Sequence, residues 1–530
     1  MENFEIFIAA LFVSVAGLNV LARWLSVPYP IPLVLGGVAL GLLPGMPEIE
    51  LDPDLVLVIF LPPLLYAAAF FADLRALRAD LRPISLLAIG LVAATTGAVA
   101  VLAHDVIGLS WPMAFALGAI VSPTDPVAAS TIMQRLGAPR RLVNVIEGES
   151  LVNDATALVA YKVAVAAAIG GTFSAMDAGL EFVGTAAGGI AIGLVVGFVV
   201  AEIRSRLDDT VTELTISLLT AYAAFIPADA LGLSGVLAAV TAGIYLGWRA
   251  PEVASPQTRL QSFAVWEILV FLLNATLFIL IGLQLPVVVD GLQGRSAGDV
   301  IGYSALVCAT VIGVRFLWLF TTPYVIRALD RRPQQRLRRG SARDRVVGAW
   351  SGMRGAVSLA AALALPLETH AGAPLPDRDL VLFITFAVIL VTLVGQGLTL
   401  PWLINRLGVR EDGAEEEAEE VRARLVASHA ALERLDELAV EEWTLDDTIE
   451  RVRGMYEFRQ RRFKVRAGKL DDEDGIGIED RSLAYQRLMH EMYAVQRRAL
   501  VELRNGGTIS NAVMHRIERE LDLEESRLEV

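Results

Sequence analysis

A single cysteine, Cys308, is all the thiol chemistry that this 530-residue chain contains. No internal disulfide can form, and because Cys308 lies inside an apolar run it says nothing about compartment. The first apolar run, residues 4–25, lacks a basic leader and a small-residue cleavage site, so it is read as a retained span and not a removed signal peptide. The chain also lacks a glycine-rich loop of the kind that cradles phosphate, which leaves nucleotide regulation without support. No cofactor and no nucleic-acid partner are expected.

What is abundant is apolar length. Hydrophobic residues make up 55% of the chain and its mean hydropathy is +0.54. Apolar runs of about 20 residues recur from Phe4 to Leu403, the pattern of a protein that crosses a membrane many times. A soluble enzyme core has no need of so many. Reading runs against breaks gives about thirteen spans: 4–25, 31–46, 54–71, 83–104, 111–135, 141–170, 178–201, 211–230, 233–248, 262–285, 300–326, 346–367 and 380–404.

Loop charge orients them, because basic residues near span ends favour the cytoplasmic side. With the N-terminus outside, the inner loops hold 19 arginines and the outer loops only Arg295 and Arg378. The asymmetry supports an odd number of spans, an external N-terminus and a cytoplasmic C-terminus in a multi-pass protein of the cell membrane, in contact with its lipid. Residues 411–530 differ in kind: they carry 30 acidic and 19 basic side chains, so that −11 of the whole-chain −14 belongs to them. The expected organisation is therefore a transmembrane domain over 1–410 and a cytoplasmic helical, regulatory domain over 411–530. Within the latter, helices are expected near 416–438, 441–467, 480–504 and 510–528. The basic stretch Arg459 to Lys469 reads as a solvated face, with contact to anionic lipid or to an acidic partner as the competing reading.

Thirteen spans divide into six, a linker and six, which suits an inverted repeat. The fifth member of the first half carries Ser122-Pro123-Thr124-Asp125-Pro126, and the fifth member of the second half carries Gly348, Gly352, Arg354 and Gly355. The expected fold is thus all-α and polytopic, with about 13 transmembrane helices, inverted six-helix repeats and two discontinuous helices at equal rank, an arrangement that points to a midplane binding site.

The polar residues in these segments are costly in hydrocarbon and so mark an ion path. Pro123 and Pro126 cannot donate backbone hydrogen bonds and disfavour helix just before them, which opens the span around Thr124 and Asp125. Freed carbonyls would suit a small hard cation, and Asp125 would offset the positive end of a half-helix. A plain proline kink with Asp125 as its cap is the competing reading. In the next span Ser150, Asn153 and Asp154 fall on one helix face, joining a hydroxyl, an amide and a carboxylate. That oxygen-rich set suits sodium or lithium and also a proton, and with no histidine or cysteine beside it a transition metal is not expected; a structural polar cluster between helices is the competing reading. Glu149, also at depth, needs a cation, and Arg354 in the other broken span is the expected partner. Such a buried pair costs about 3–5 kcal/mol to break. Glu147, Lys162 and Arg315 lie at or near membrane depth, and Lys162 and Arg315 are expected to snorkel or to pair with polar backbone.

Thr124-Asp125-Pro126, the run Glu147-Gly148-Glu149-Ser150-Leu151-Val152-Asn153-Asp154 and Gly352-Met353-Arg354-Gly355-Ala356 together resemble the sodium/proton antiporters of the NhaP type and their animal exchanger relatives. The resemblance covers most of residues 1–410. It implies that Asp154 alternately carries the cation and the proton with Asp125 beside it, that Thr124 lends its carbonyl and Ser150 its hydroxyl to Na+, and that Asn153 orders the site. It further implies a structural pair Glu149–Arg354, a homodimer, and a core that moves against a scaffold. Where some relatives have an acid, this chain has Ala67.

The expected function is secondary active antiport of Na+ or Li+ against H+ by competition at one carboxylate, not enzymatic catalysis. Desolvation favours the neutral form of such a group, so an empty, charged site resists crossing. One exchangeable carboxylate gives one proton for one sodium by charge balance, and the resemblance associates an Asn-Asp pair with electroneutral exchange. The alternatives are potassium/proton antiport on the same architecture and, from another class, a cation channel or a membrane sensor acting through its acidic tail.

Overall fold

In the computed structural model the described residues are 2–25, 27–43, 53–170, 175–292, 295–329, 340–370, 372–411, 413–466, 477–526 and 528. They are helical almost throughout, and their sole extended pairing is an isolated bridge between Glu368 and Pro374. The arginine-rich segment 330–339 and Lys469 of the basic tail stretch lie outside the described residues.

The first compact unit runs from Met1 to Glu411. Its helices are α1 (Glu2–Leu25), α2 (Pro30–Gly41), α3 (Pro53–Phe70) and the short α4 (Leu74–Ala79), then α5 (Leu81–Ile107), α6 (Trp111–Val121), α7 (Val127–Arg135) and α8 (Arg140–Gly170). They continue as α9 (Ala175–Arg204), α10 (Thr210–Ala230), α11 (Gly235–Val253), α12 (Pro256–Leu283) and the short α13 (Leu285–Asp290). The last are α14 (Ala297–Leu329), α15 (Ala342–Trp350), α16 (Ala356–Leu363) and α17 (Arg378–Leu407). Each range read as a span from the sequence holds one helix or one pair of half-helices. By length and composition, seven of the described helices are long and apolar enough to cross a membrane, and shorter apolar helices such as Pro30–Gly41 and Trp111–Val121 accompany them.

Local chemistry sets many of the boundaries. Asp73 caps α4 by accepting from the Arg75 and Ala76 amides, Asp209 caps α10 through the Thr212 amide, and Ser341 with Asp344 forms a reciprocal capping box at the start of α15. Gly108 and Gly408 end α5 and α17 in the left-handed conformation that a side chain resists.

Packing sorts the helices into two sets. In one, α5 to α8 pack with α14 to α17; in the other, α2 packs on α12, α3 on α11, and α9 on α10 and α11. The two sets touch through α16, which lies against α3 and α12, and also through α8 against α3 and α11 and through α17 against α2 and α13. Close approach within the second set depends on absent side chains: a Cβ at Gly37 would strike the Ile279 carbonyl, and one at Gly282 the Val34 carbonyl. Arg204, which loop charge assigned to the aqueous inner side, is 2% exposed here, 3.7 Å from Glu213, with the Thr258 hydroxyl donating to Glu213 at 3.1 Å. Ala67 sits in an apolar cluster with Val200, Ala201, Leu246 and Trp266.

The second unit, Asp412–Val530, contains α18 (Ala414–Leu438), α19 (Asp446–Arg466), α20 (Ile478–Asn505) and α21 (Asn511–Ser526). Helix α18 packs on α19 and α20 on α21.

Candidate functional site

Both interrupted spans are real helix breaks, and they meet. Helix α6 stops at Val121, α7 restarts at Val127, and the second break separates α15 from α16 between Trp350 and Ala356. The first break follows from Pro123 and Pro126. The second contains no proline and is held by contacts: the Asp125 amide donates to the Met353 carbonyl at 2.8 Å, and the Arg354 amide donates to Thr392 Oγ1 at 3.0 Å. Thr392 lies in a wide π turn of α17 spanning Val391–Gln396.

Each break exposes a negative helix end and a positive one, carrying about half an elementary charge each. Asp125 serves the positive ends. Its carboxylate accepts from the Val127 amide at 2.9 Å and from the Ala356 amide, the first residues of α7 and α16. Gly355 makes this possible, since a Cβ there would overlap the Asp125 carboxylate. Arg354 serves the negative ends. Its Nε donates to the Val121 carbonyl at 3.0 Å, where α6 ends, and its Nη1 to the Gly352 carbonyl just beyond α15.

This arrangement corrects the expected pairing of Glu149 with Arg354. The partner of Glu149 is Arg315 on α14, bound through both carboxylate oxygens at 2.5 and 2.9 Å. Arg315 is 1% exposed and also donates to the Gly348 carbonyl at 3.1 Å. The physical reason is that orphan carbonyls at two half-helix ends claim a donor as strongly as a carboxylate does, and Arg354, being inside the break, reaches them first. Gly352 leaves the room that the Arg315 stem occupies. Lys162 pairs with Asp229 at 3.2 Å at an exposed position, and Glu147 accepts from Gln134 at 3.2 Å, so neither belongs to this centre.

The α8 face joins the same network. Asn153 Nδ2 donates to Thr124 Oγ1 at 2.9 Å, and that hydroxyl donates to Glu149 Oε1 at 3.2 Å. A continuous chain therefore runs from Asn153 through Thr124, Glu149 and Arg315 to the second break. Asn153 Oδ1 is buried with no partner among the described residues. Ser150 and Asp154 are buried on the same face of α8, and Asp125 is near enough for its charge to act on Asp154. Among the described residues nothing donates a hydrogen bond to Asp154 and no cation pairs with it. Beside α7 lies a cavity of about 740 Å³ lined by Arg23, Tyr29, Thr131, Arg135, Glu267 and Phe271, among others. Tyr29 links this cavity to the centre, because it hydrogen-bonds Asn274 and lies within range of the Asp125 charge.

Residues 8–406 match the family described as "Sodium/hydrogen exchanger, transmembrane". The chain belongs to this family. Among its relatives, an uncharacterized Na(+)/H(+) exchanger of Mycobacterium bovis is 37% identical over 526 residues, covering 98% of this chain and 95% of the relative. The Na(+)/H(+) antiporter ApNhaP of Aphanothece halophytica is 32% identical over 524 residues, covering 96% and 95%. A sodium, potassium, lithium and rubidium/H(+) antiporter of Bacillus pumilus is 34% identical over 419 residues, covering 76% and 62%. The solved structure of the sodium proton antiporter MjNhaP1 from Methanocaldococcus jannaschii shares the fold, with a TM-score of 0.59 at 19% identity, covering 76% of this chain and 99% of that one. The exchanger fold thus accounts for the all-helical, multi-pass architecture, and the family is one of monovalent cation/proton antiporters, not enzymes.

Of the residues grouped from the sequence of this exchanger, Asn153 and Thr124 are hydrogen-bonded, Asp125 lies within range of Asp154, and Ser150 is buried on the same helix as Asp154. Sequence reasoning undervalued Arg315 and missed Thr392, Tyr29 and Asn274. For Arg315 a signal was present, a fixed positive charge inside a 33-residue apolar helix. Its partner, 166 positions away in the chain, was not readable.

Proposed function

We propose that this exchanger moves Na+ or Li+ against H+ across the cell membrane, one for one, with Asp154 as the carboxylate that holds either ion in turn. The carrying observation is the contrast among the buried charges. Glu149 has Arg315, Arg354 has two sets of helix-end carbonyls, and Asp125 has two helix-start amides, whereas Asp154 has no partner among the described residues. An uncompensated buried carboxylate is costly, so it takes up a proton or a cation before the core can move. Asp125, the Ser150 hydroxyl, Thr124 and Asn153 Oδ1 supply the oxygen-rich shell that a hard alkali cation requires. The cavity reaching Tyr29 is on the side to which loop arginines assign the cytoplasm, which makes it the inner entry. A homodimer with a core set and a scaffold set of helices is part of the same reading.

The test is cation-dependent proton movement in proteoliposomes. The native chain should show it with Na+ or Li+, at rates insensitive to clamped voltage, and the pH of half-maximal rate should shift as cation concentration rises. Asp154→Asn should fall to the level of empty liposomes; full activity in that variant refutes the carrier role. Collapse of the proton gradient by K+ in place of Na+ would assign the chain to potassium/proton exchange, and current without proton coupling would assign it to channels.

A further inference from the structure

Helix α20 has two apolar faces, and among the described residues only one of them is covered. Tyr493 and Leu500 are buried against Met514 and Leu521 of α21, and the rim of that contact is closed by Arg497 with Asp522 and Glu525 and by His490 with Glu525. On the other face Tyr485, Leu488, Met492 and Val495 are 56%, 59%, 43% and 47% exposed. Their spacing alternates three and four residues and continues to Ala499, which is the spacing of a two-helix seam and not of a solvated surface. The seam is only about 20 Å long at 1.5 Å per residue, so it suits a partner already held at high local concentration.

We infer that this face pairs antiparallel with α20 of a second copy of the chain, in the register that sets Leu488 against Ala499 and Met492 against Val495 of the partner subunit. Charge selects both the partner and the register. Glu491 and Arg498 flank the seam seven residues apart on one edge. In this register each Glu491 faces Arg498 of the partner subunit, twice over by symmetry, and large side chains oppose smaller ones. Sliding one heptad, to set Leu488 against Met492, would bring Glu491 against its own copy, and like charges there repel. A flanking edge of mixed sign also fits a self-complementary partner better than an anionic lipid surface. The inference rests on the homodimer of the proposed reading but not on which ions are carried.

The test is disulfide trapping of the full-length protein in membranes. The parent chain, whose one cysteine is the buried Cys308, is the control. Leu488→Cys with Ala499→Cys should give a linked dimer under mild oxidation, at least tenfold more than either single variant, because facing Cβ atoms are needed. In that background Glu491→Arg should cut the linked fraction about tenfold, and adding Arg498→Glu should restore it. The surface charge changes leave the α20–α21 core untouched, so loss followed by rescue separates pairing from misfolding. No linked dimer overturns the inference, as it would if the face were covered by lipid or by the chain's own helices. So does linkage through Leu488→Cys alone, which would mean parallel helices, or indifference to the charge exchange.

Discussion

At the scale of single residues the centre is a problem of assigning two buried arginines to several competing acceptors. Arg354 takes the carbonyls at the ends of α6 and α15, and Arg315 takes Glu149. The assignment has a measurable consequence. In double-mutant cycles built on thermal or denaturant stability, Glu149→Gln with Arg315→Gln should show a coupling of about 0.5–3 kcal/mol, the range for groups in direct contact. Glu149→Gln with Arg354→Gln should show a much smaller coupling. Either single change at Arg315 or Glu149 should cost about 3–5 kcal/mol, since it leaves a buried charge uncompensated. The common face of Ser150, Asn153 and Asp154 was readable because a helix repeats every 3.6 residues, so three spacings suffice to align side chains. Which arginine reaches Glu149 was not readable, because both carry the same charge in apolar helices and only tertiary position distinguishes them.

At the scale of elements the decisive feature is the meeting of two broken helices. Two prolines announce the first break in the sequence. The second is marked only by Gly352, Arg354 and Gly355, and what holds it open is the bond from the Asp125 amide to Met353 together with Asp125 capping α7 and α16 at once. That double cap needs the two helix starts closer than a methyl group permits. Gly355→Ala should therefore displace the Asp125 carboxylate, destabilise the fold by about 1–3 kcal/mol as an overpacked contact does, and lower transport at least tenfold. Parallel measurements of unfolding midpoint and proteoliposome transport check this; native transport in Gly355→Ala would mean that Asp125 need not sit between the two helix starts. Cavity-lining Tyr29, at the entry to α2, escaped notice because a tyrosine at a helix start carries no signal of its own until the tertiary structure sets it near Asp125.

At the scale of the whole molecule the chain is two units joined after Glu411. The junction does more than connect. The Glu411 carboxylate accepts from the Arg140 amide at 2.8 Å, at the start of α8, and its own amide donates to the Gly137 carbonyl at 2.9 Å. Truncation after Glu411 should leave cation/proton exchange in the membrane unit, whereas truncation after Gly408 should remove the α8 cap and cost a further 0.5–2 kcal/mol or about that, read as a lower unfolding midpoint. Equal stability of the two truncations would count against the cap. The sequence by itself determined the class of molecule, the membrane-embedded helices, the helical tail, the two interrupted segments and the polar face of α8, because apolar run length, helical period and proline chemistry act locally. Only the tertiary structure decided which arginine neutralises Glu149, which groups serve the four half-helix ends and which carboxylate of the centre has no partner among the described residues. Those outcomes depend on distances between side chains far apart in the chain, and in a medium of low polarity a few ångströms decide which charge is satisfied and which must find an ion.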